Sequence, residues 1–204
     1  PMEYPYHHPG PYHLYGQKSQ MQPVLLTGAV SVGRRYEGMM AERERNMVNA
    51  ADSYVAIDLE TTGIGAKRER ITEIGMVKVE NGAVTDTYHT LVNPGRPIPE
   101  HITELTGIDD DMVKDAPMIQ DVIGEVIAFC GTLPVLGHQI MFDYGFLVQA
   151  AVNGKLRFER SGIDTLKLCR KFMPPEEKKN LAAACAYFHA AQDTAHRALS
   201  DAMA

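Results

Sequence analysis

The chain has 204 residues, a formal net charge of −6, 45% hydrophobic and 23% charged residues, which suits one ordinary globular domain plus an extension. The acidic balance argues against a protein that grips long duplex by phosphate neutralisation, since such binding scales with Lys and Arg contacts; it limits the footprint, not the chemistry. No apolar run approaches the ~20 residues a membrane helix needs. Cys130, Cys169 and Cys185 form no CxxC pair, so they read as small core hydrophobes in a reducing compartment, with the cytoplasm as the default address.

Residues 1–22 are rich in Pro, Tyr and His and follow neither a strand nor a helix period, which predicts a disordered or extended polyproline-like arm. His7, His8 and His13 lack acidic partners there, so a flexible tail is a better account than a metal site. The chain begins at Pro1 and not Met, which reads as a fragment or a processed product. Residues 23–32 suit a short strand and residues 37–51 a modest helix. The organisation expected is an N-terminal extension over 1–50 and a domain over 51–204.

The domain opens on Tyr54-Val55-Ala56-Ile57-Asp58-Leu59-Glu60, an apolar strand that places two carboxylates two positions apart. Side chains on a strand alternate faces, so Asp58 and Glu60 point one way while Ile57 and Leu59 point the other. Two acids on one face of a buried strand repel each other and lose hydration, a costly arrangement unless a cation neutralises them. Hard divalent cations take such oxygens; a strand end emerging into solvent is the plainer alternative for the pair taken alone. Gly63 to Arg70 form a loop of mixed charge, better read as solvated surface than as a phosphate contact. Two β-prone runs, 71–79 and 83–92, flank Asn81-Gly82, the signature of a type I′ hairpin.

Asn93 to Pro99 is a loop by composition, followed by short helices at 100–106 and 110–114. Ile119, Val122, Ile123, Val126, Ile127 and Cys130 recur at helical spacing, predicting an amphipathic helix over 117–130. A core strand at 133–138 leads into a helix over 141–152, with Phe142, Phe146 and Ala150 on one stripe. Helices over 164–172 and 181–189 are separated by Pro174-Pro175, and a last helical segment spans 195–204. Strands first, then strand and helices alternating, describe an α/β protein with a mixed sheet and helices packed against it. His196 and Asp201 are five residues apart, about 140° around an ideal helix. If both serve one site, His196 lies in the turn that precedes the helix.

Together, Asp58-Leu59-Glu60-Thr61-Thr62-Gly63, Glu73-Ile74-Gly75, Leu105-Thr106-Gly107-Ile108, His138-Gln139-Ile140-Met141-Phe142-Asp143 and His196-Arg197-Ala198-Leu199-Ser200-Asp201 resemble the motifs of the DEDDh 3′–5′ exonucleases. Within them the chain is most similar to the epsilon-type proofreading group of bacterial DNA polymerase III, from about residue 53 onward. The resemblance implies an RNase H-like mixed five-stranded sheet with helices on both faces, and release of nucleoside 5′-monophosphates from a 3′ end. It implies that Asp58, Glu60, Asp143 and Asp201 hold two divalent ions, Mg2+ or Mn2+, with Asp58 bridging, and that His196 is the general base. Two such ions activate water and stabilise the leaving oxygen, and imidazole as a class titrates near neutrality. Thr61, Thr62 and Gly63 would line the terminal nucleotide's pocket, with Ile64 or Leu105 against its base and His138 and Phe142 facing the same cleft. Implied partners are a single-stranded 3′ end of DNA, or of RNA, and a DNA polymerase.

Two departures from the family stand out. Gln139 replaces the usual Asn, and the chain stops three residues past Asp201, where the family's helix continues, so few helical bonds anchor that ligand. Alternatives are an RNA exonuclease of oligoribonuclease or RNase T type, a non-catalytic scaffold module of a polymerase assembly, and an RNase H-like endonuclease or transposase. The presence of all five chemical positions disfavours the scaffold, and the His196 spacing disfavours the last.

Overall fold

A computed structural model describes residues 52–192 and 195–204. The arm, strand and helix expected before residue 51 lie outside the described residues. The domain begins with three antiparallel strands, β1 (Tyr54–Thr61), β2 (Ile71–Glu80) and β3 (Ala83–Leu91). Asn81 and Gly82 both take positive φ, 54° and 74°, which a type I′ turn requires.

Two short helices, α1 (Glu100–Thr106) and α2 (Asp110–Val113), precede the amphipathic α3 (Ile119–Cys130). Then come β4 (Val135–Gly137), α4 (Met141–Asn153), β5 (Gly162–Asp164), α5 (Thr165–Phe172), α6 (Leu181–Phe188) and α7 (Ala198–Met203). The sheet order is β3-β2-β1-β4-β5, antiparallel on one side of β1 and parallel on the other. β5 has no counterpart among the elements expected from sequence. Its three residues show no alternation, and Asp164, expected as the first residue of a helix, ends this strand and caps α5 by accepting from Leu166 N–H. β4 is shorter than its apolar run because Pro134 has no N–H to give, although its carbonyl still accepts from Val55 N–H.

Strand alternation divides the sheet between two cores. Val55, Ile57 and Leu59 of β1 with Ile74 and Met76 of β2 pack against α3 and α4 through Val122, Ile123, Val126, Phe146 and Leu147. Ala56, Val77 and Val79 point the other way, where Leu199 and Ala202 of α7 cover them. Asp58 and Glu60 share the face of Ala56, so the period of two that fills one core also delivers both acids beneath α7. The β1–β2 register slips between Glu60 and Thr61, leaving Thr72 as the extra residue; such a bulge bends the strand and re-aims the side chains beyond it.

Candidate active site

On β1, Asp58 is paired with Gly75 and Glu60 with Glu73 of β2. Asp143 arrives from another direction. β4 pairs with β1 only at Val55 and Ala56, so farther along β1 that edge is free, and Leu59 N–H donates to Asp143 Oδ1 at 3.0 Å. Asp143 belongs to the first turn of α4 and is only 4% exposed.

His196 lies in the turn before α7, with φ of 59°. Its backbone N–H donates to Asp201 Oδ2 at 3.0 Å, and Gln192 Nε2 donates to Asp201 Oδ1 at 2.7 Å. Asp201 is thereby folded back toward the turn, and the donor atoms of Glu60, His196 and Asp201 lie within 4.8 Å of one another. Four carboxylates from β1, α4 and α7 and one exposed imidazole thus meet at one end of β1.

The electrostatics arise from burial and crowding. Asp58 is pushed well above the ordinary carboxylate range, first by desolvation, then by the charges of Asp143, Glu60, Asp201 and Glu73. Glu60 rises to about 7 through burial and the same acidic neighbours, with Arg197 pulling it down. Burial also lifts Asp143 to about 7 against the backbone N–H groups that favour its charged form. Desolvated oxygens that repel one another beside an imidazole are a donor set suited to hard divalent cations, whose charge would reverse these shifts. The residues therefore fit a metal centre.

The remaining candidates are placed less uniformly. Thr61 Oγ1 donates to Gly63 O, and Thr62 Oγ1 donates to Glu69 Oε2 while accepting from Arg70 N–H, so both hydroxyls are engaged in shaping the loop after β1. Ile64 is 91% and Leu105 53% exposed, two apolar side chains open to solvent. Phe142 packs its ring against Phe146 at 5.1 Å, at the edge of the main core. His138 is hydrogen-bonded at both ring nitrogens, to Thr165 Oγ1 at 3.1 Å and to the Lys179 carbonyl at 2.7 Å, and so ties the end of β4 to α5 and to the loop before α6.

Glu73, Arg197, His89 and Gln192 also belong to the site, yet sequence reasoning assigns none of them a role. Glu73 accepts from both His89 and Arg197. The available signal was an acid in the middle of an apolar strand, paired across the β1–β2 ladder with Glu60.

A mixed five-stranded sheet carrying this acid set under a His-bearing turn defines an RNase H-like exonuclease fold. The exonuclease family model RNase_T matches residues 55–204, and the chain belongs to that family. Among its relatives, the epsilon subunit of DNA polymerase III from Aquifex aeolicus is 37% identical over 152 residues, covering 74% of this chain and 75% of that protein. The PolC-type DNA polymerase III of Caldanaerobacter subterraneus is 38% identical over 151 residues, and there the match spans only 11% of the relative's length. A solved structure of exonuclease X in complex with 5′-overhanging duplex DNA superposes with a TM-score of 0.58 at 29% identity, covering 73% of this chain and 84% of that one. Among the described residues no helix is long and apolar enough to cross a membrane.

Proposed function

We propose that this domain is a metal-dependent 3′–5′ exonuclease that hydrolyses terminal phosphodiesters of DNA to nucleoside 5′-monophosphates and serves proofreading. The observation that carries the reading is the convergence of Asp58, Glu60, Asp143 and Asp201 on one desolvated spot beside His196. Those carboxylates would hold two Mg2+ or Mn2+ ions, which neutralise phosphate charge and acidify water when bound. The His196 ring, exposed on its turn, would take the proton of the attacking water. Ile64 and Leu105 offer exposed apolar surface for the terminal base, and the backbone at Thr61, Thr62 and Gly63 would border its sugar. His138 would contribute as an anchor of the cleft wall, and Phe142 as packing behind Asp143. A single-stranded DNA 3′ end is the substrate and a DNA polymerase the partner, by likeness to the polymerase III relatives. The cytoplasm is its proposed location, where the three buried, unpaired cysteines stay reduced.

The test is the product formed from a single strand labelled at its 3′ end. With Mn2+ the wild type should release 5′-mononucleotides one at a time, and Asp58→Ala should release none. Internal cuts, or products carrying a 3′-phosphate, would overturn the reading. Faster turnover of a 3′-ribo end than of a 3′-deoxy end would move the substrate to RNA.

A further inference from the structure

Glu73 is a fifth acid at this site, and its surroundings differ from those of the other four. It sits on β2 with its side chain 1% exposed. Oε1 meets His89 Nε2 and Arg197 Nη2, both at 2.7 Å, while Oε2 accepts from Ala198 N–H at 3.0 Å; Arg197 Nε lies 3.2 Å from each oxygen. A carboxylate oxygen has two lone pairs, so these donors use the capacity that a cation would need. Burial pushes Glu73 up, but the bonds from Arg197, His89 and Ala198 outweigh it and hold the group below its ordinary range. Glu73 is therefore a charged acceptor inside the protein, committed to protein donors.

Those donors come mainly from the segment that carries His196 and Asp201. We propose that Glu73 is the positioning residue of this site, clamping the 196–198 turn onto the sheet and so fixing the His196 imidazole beside Glu60. Its catalytic consequence rests on the exonuclease reading above; its structural consequence does not.

The rest of the described attachment is close packing, with Ala198 fully buried and the backbone at Ala198 and Leu199 seated on Gly75. The apolar attachment of α7 to the sheet is Leu199 and Ala202. His196 holds a left-handed backbone, a conformation that is unfavourable for an L-residue and must be secured by its neighbours. Arg197, at the cap position, makes no side-chain cap bond to the helix. Its guanidinium turns to Glu73 instead, and Glu73 satisfies the free Ala198 N–H.

The test uses the full chain, hydrogen exchange and kinetics on a short 3′-deoxy strand with Mn2+. Glu73→Gln keeps the side-chain volume and one acceptor oxygen. In it the amides of residues 195–203 should exchange faster, while those of β1 and α3 keep their protection. Turnover should fall by about 10²-fold, the scale set by ångström misplacement of a reacting group, with KM little changed. In a His196→Asn background the same substitution should add almost nothing, because residues acting as one unit are not additive. Arg197→Lys, which removes the two-pronged grip but keeps the charge, should give the same local exchange pattern and keeps the test readable if Glu73→Gln folds poorly. Unchanged exchange at 195–203 in both variants, or equal losses of turnover in both backgrounds, would overturn the clamp. If the wild type releases no mononucleotide, the exonuclease reading falls while the exchange pattern still decides the structural claim.

Discussion

The Leu59 amide donates to the Asp143 carboxylate at 3.0 Å across 84 residues of chain. This bond reconciles a parallel strand that ends early with an acid that must be buried. β4 leaves the edge of β1 unpaired beyond Ala56, and a buried backbone N–H without an acceptor is costly, about 1–3 kcal/mol. Asp143 supplies that acceptor and is held at the site by the same contact.

Asp143→Asn separates the two roles. An amide oxygen can still accept from Leu59 N–H, while a buried charge crowded by Asp58 disappears. The metal-free variant should therefore melt higher than wild type near pH 8, and its stabilisation by Mn2+ should shrink with the lost affinity. Scanning fluorimetry with and without Mn2+ measures both. A lower metal-free melting temperature, or an undiminished Mn2+ shift, would contradict the assignment.

The same crowding sets the sign of the pH dependence. Glu60 moves from 4.5 to about 7 and Asp143 from 3.8 to about 7. The folded chain thus binds protons that the unfolded chain has released between those limits, and stability falls as pH rises through that window. Glu73, lowered by its donors, acts oppositely, and its contribution is lost only as pH falls below the usual carboxylate range. Without metal, the melting temperature should fall between about pH 5.5 and pH 8. With saturating Mn2+ this trend should flatten or reverse, because cations and protons compete for the same oxygens. A metal-free protein that grows more stable toward pH 8 would remove the crowding from the account.

His196→Asn isolates the imidazole. Asn tolerates a left-handed backbone, and the backbone N–H that His196 gives Asp201 survives the change. Turnover should drop by about 10²–10⁴, the usual worth of a positioned acid–base group, with Mn2+ affinity by calorimetry unchanged. Because the ring lies near Glu60 and Asp201, a large loss of affinity would make it a ligand and not a base.

Strand alternation and turn chemistry made much of this legible in the sequence. The alternation that puts Ile57 and Leu59 in the main core puts Asp58 and Glu60 under α7, and the five-residue spacing of His196 and Asp201 requires the turn that is observed. Long-range register and one-residue backbone choices were not legible. Nothing local marks Glu73 as the partner of Arg197, 124 residues away, since that pairing needs both the β1–β2 register and the placement of α7. Gln139 is similar. Its replacement of Asn reads as one added methylene, but the position has φ of 65°, a region Asn enters more readily than Gln. There its backbone N–H is bonded to Asp164.

Gly75 is where packing and chemistry meet most directly. A Cβ built there would lie 2.2 Å from both Ala198 C and Leu199 N, so the backbone of α7 rests on a bare Cα, and neither partner is a side chain that could swing aside. Gly75→Ala must lift α7 or bend β2. Overpacking of this kind costs typically 1–3 kcal/mol, with each kcal/mol worth about 2–4 °C in a chain of this size. Because β2 is paired with a strand on each side, α7 should yield before β2 does, moving Asp201 and the His196 turn off the acids of β1. Turnover and Mn2+ affinity should then fall far more than the melting temperature. Gly145→Ala is the control: it lies within α4 with nothing within 4 Å of a built Cβ, and should raise stability by about 0.5–1 kcal/mol through helix propensity. Equal activity in the two variants would show that α7 does not need its close seat on β2.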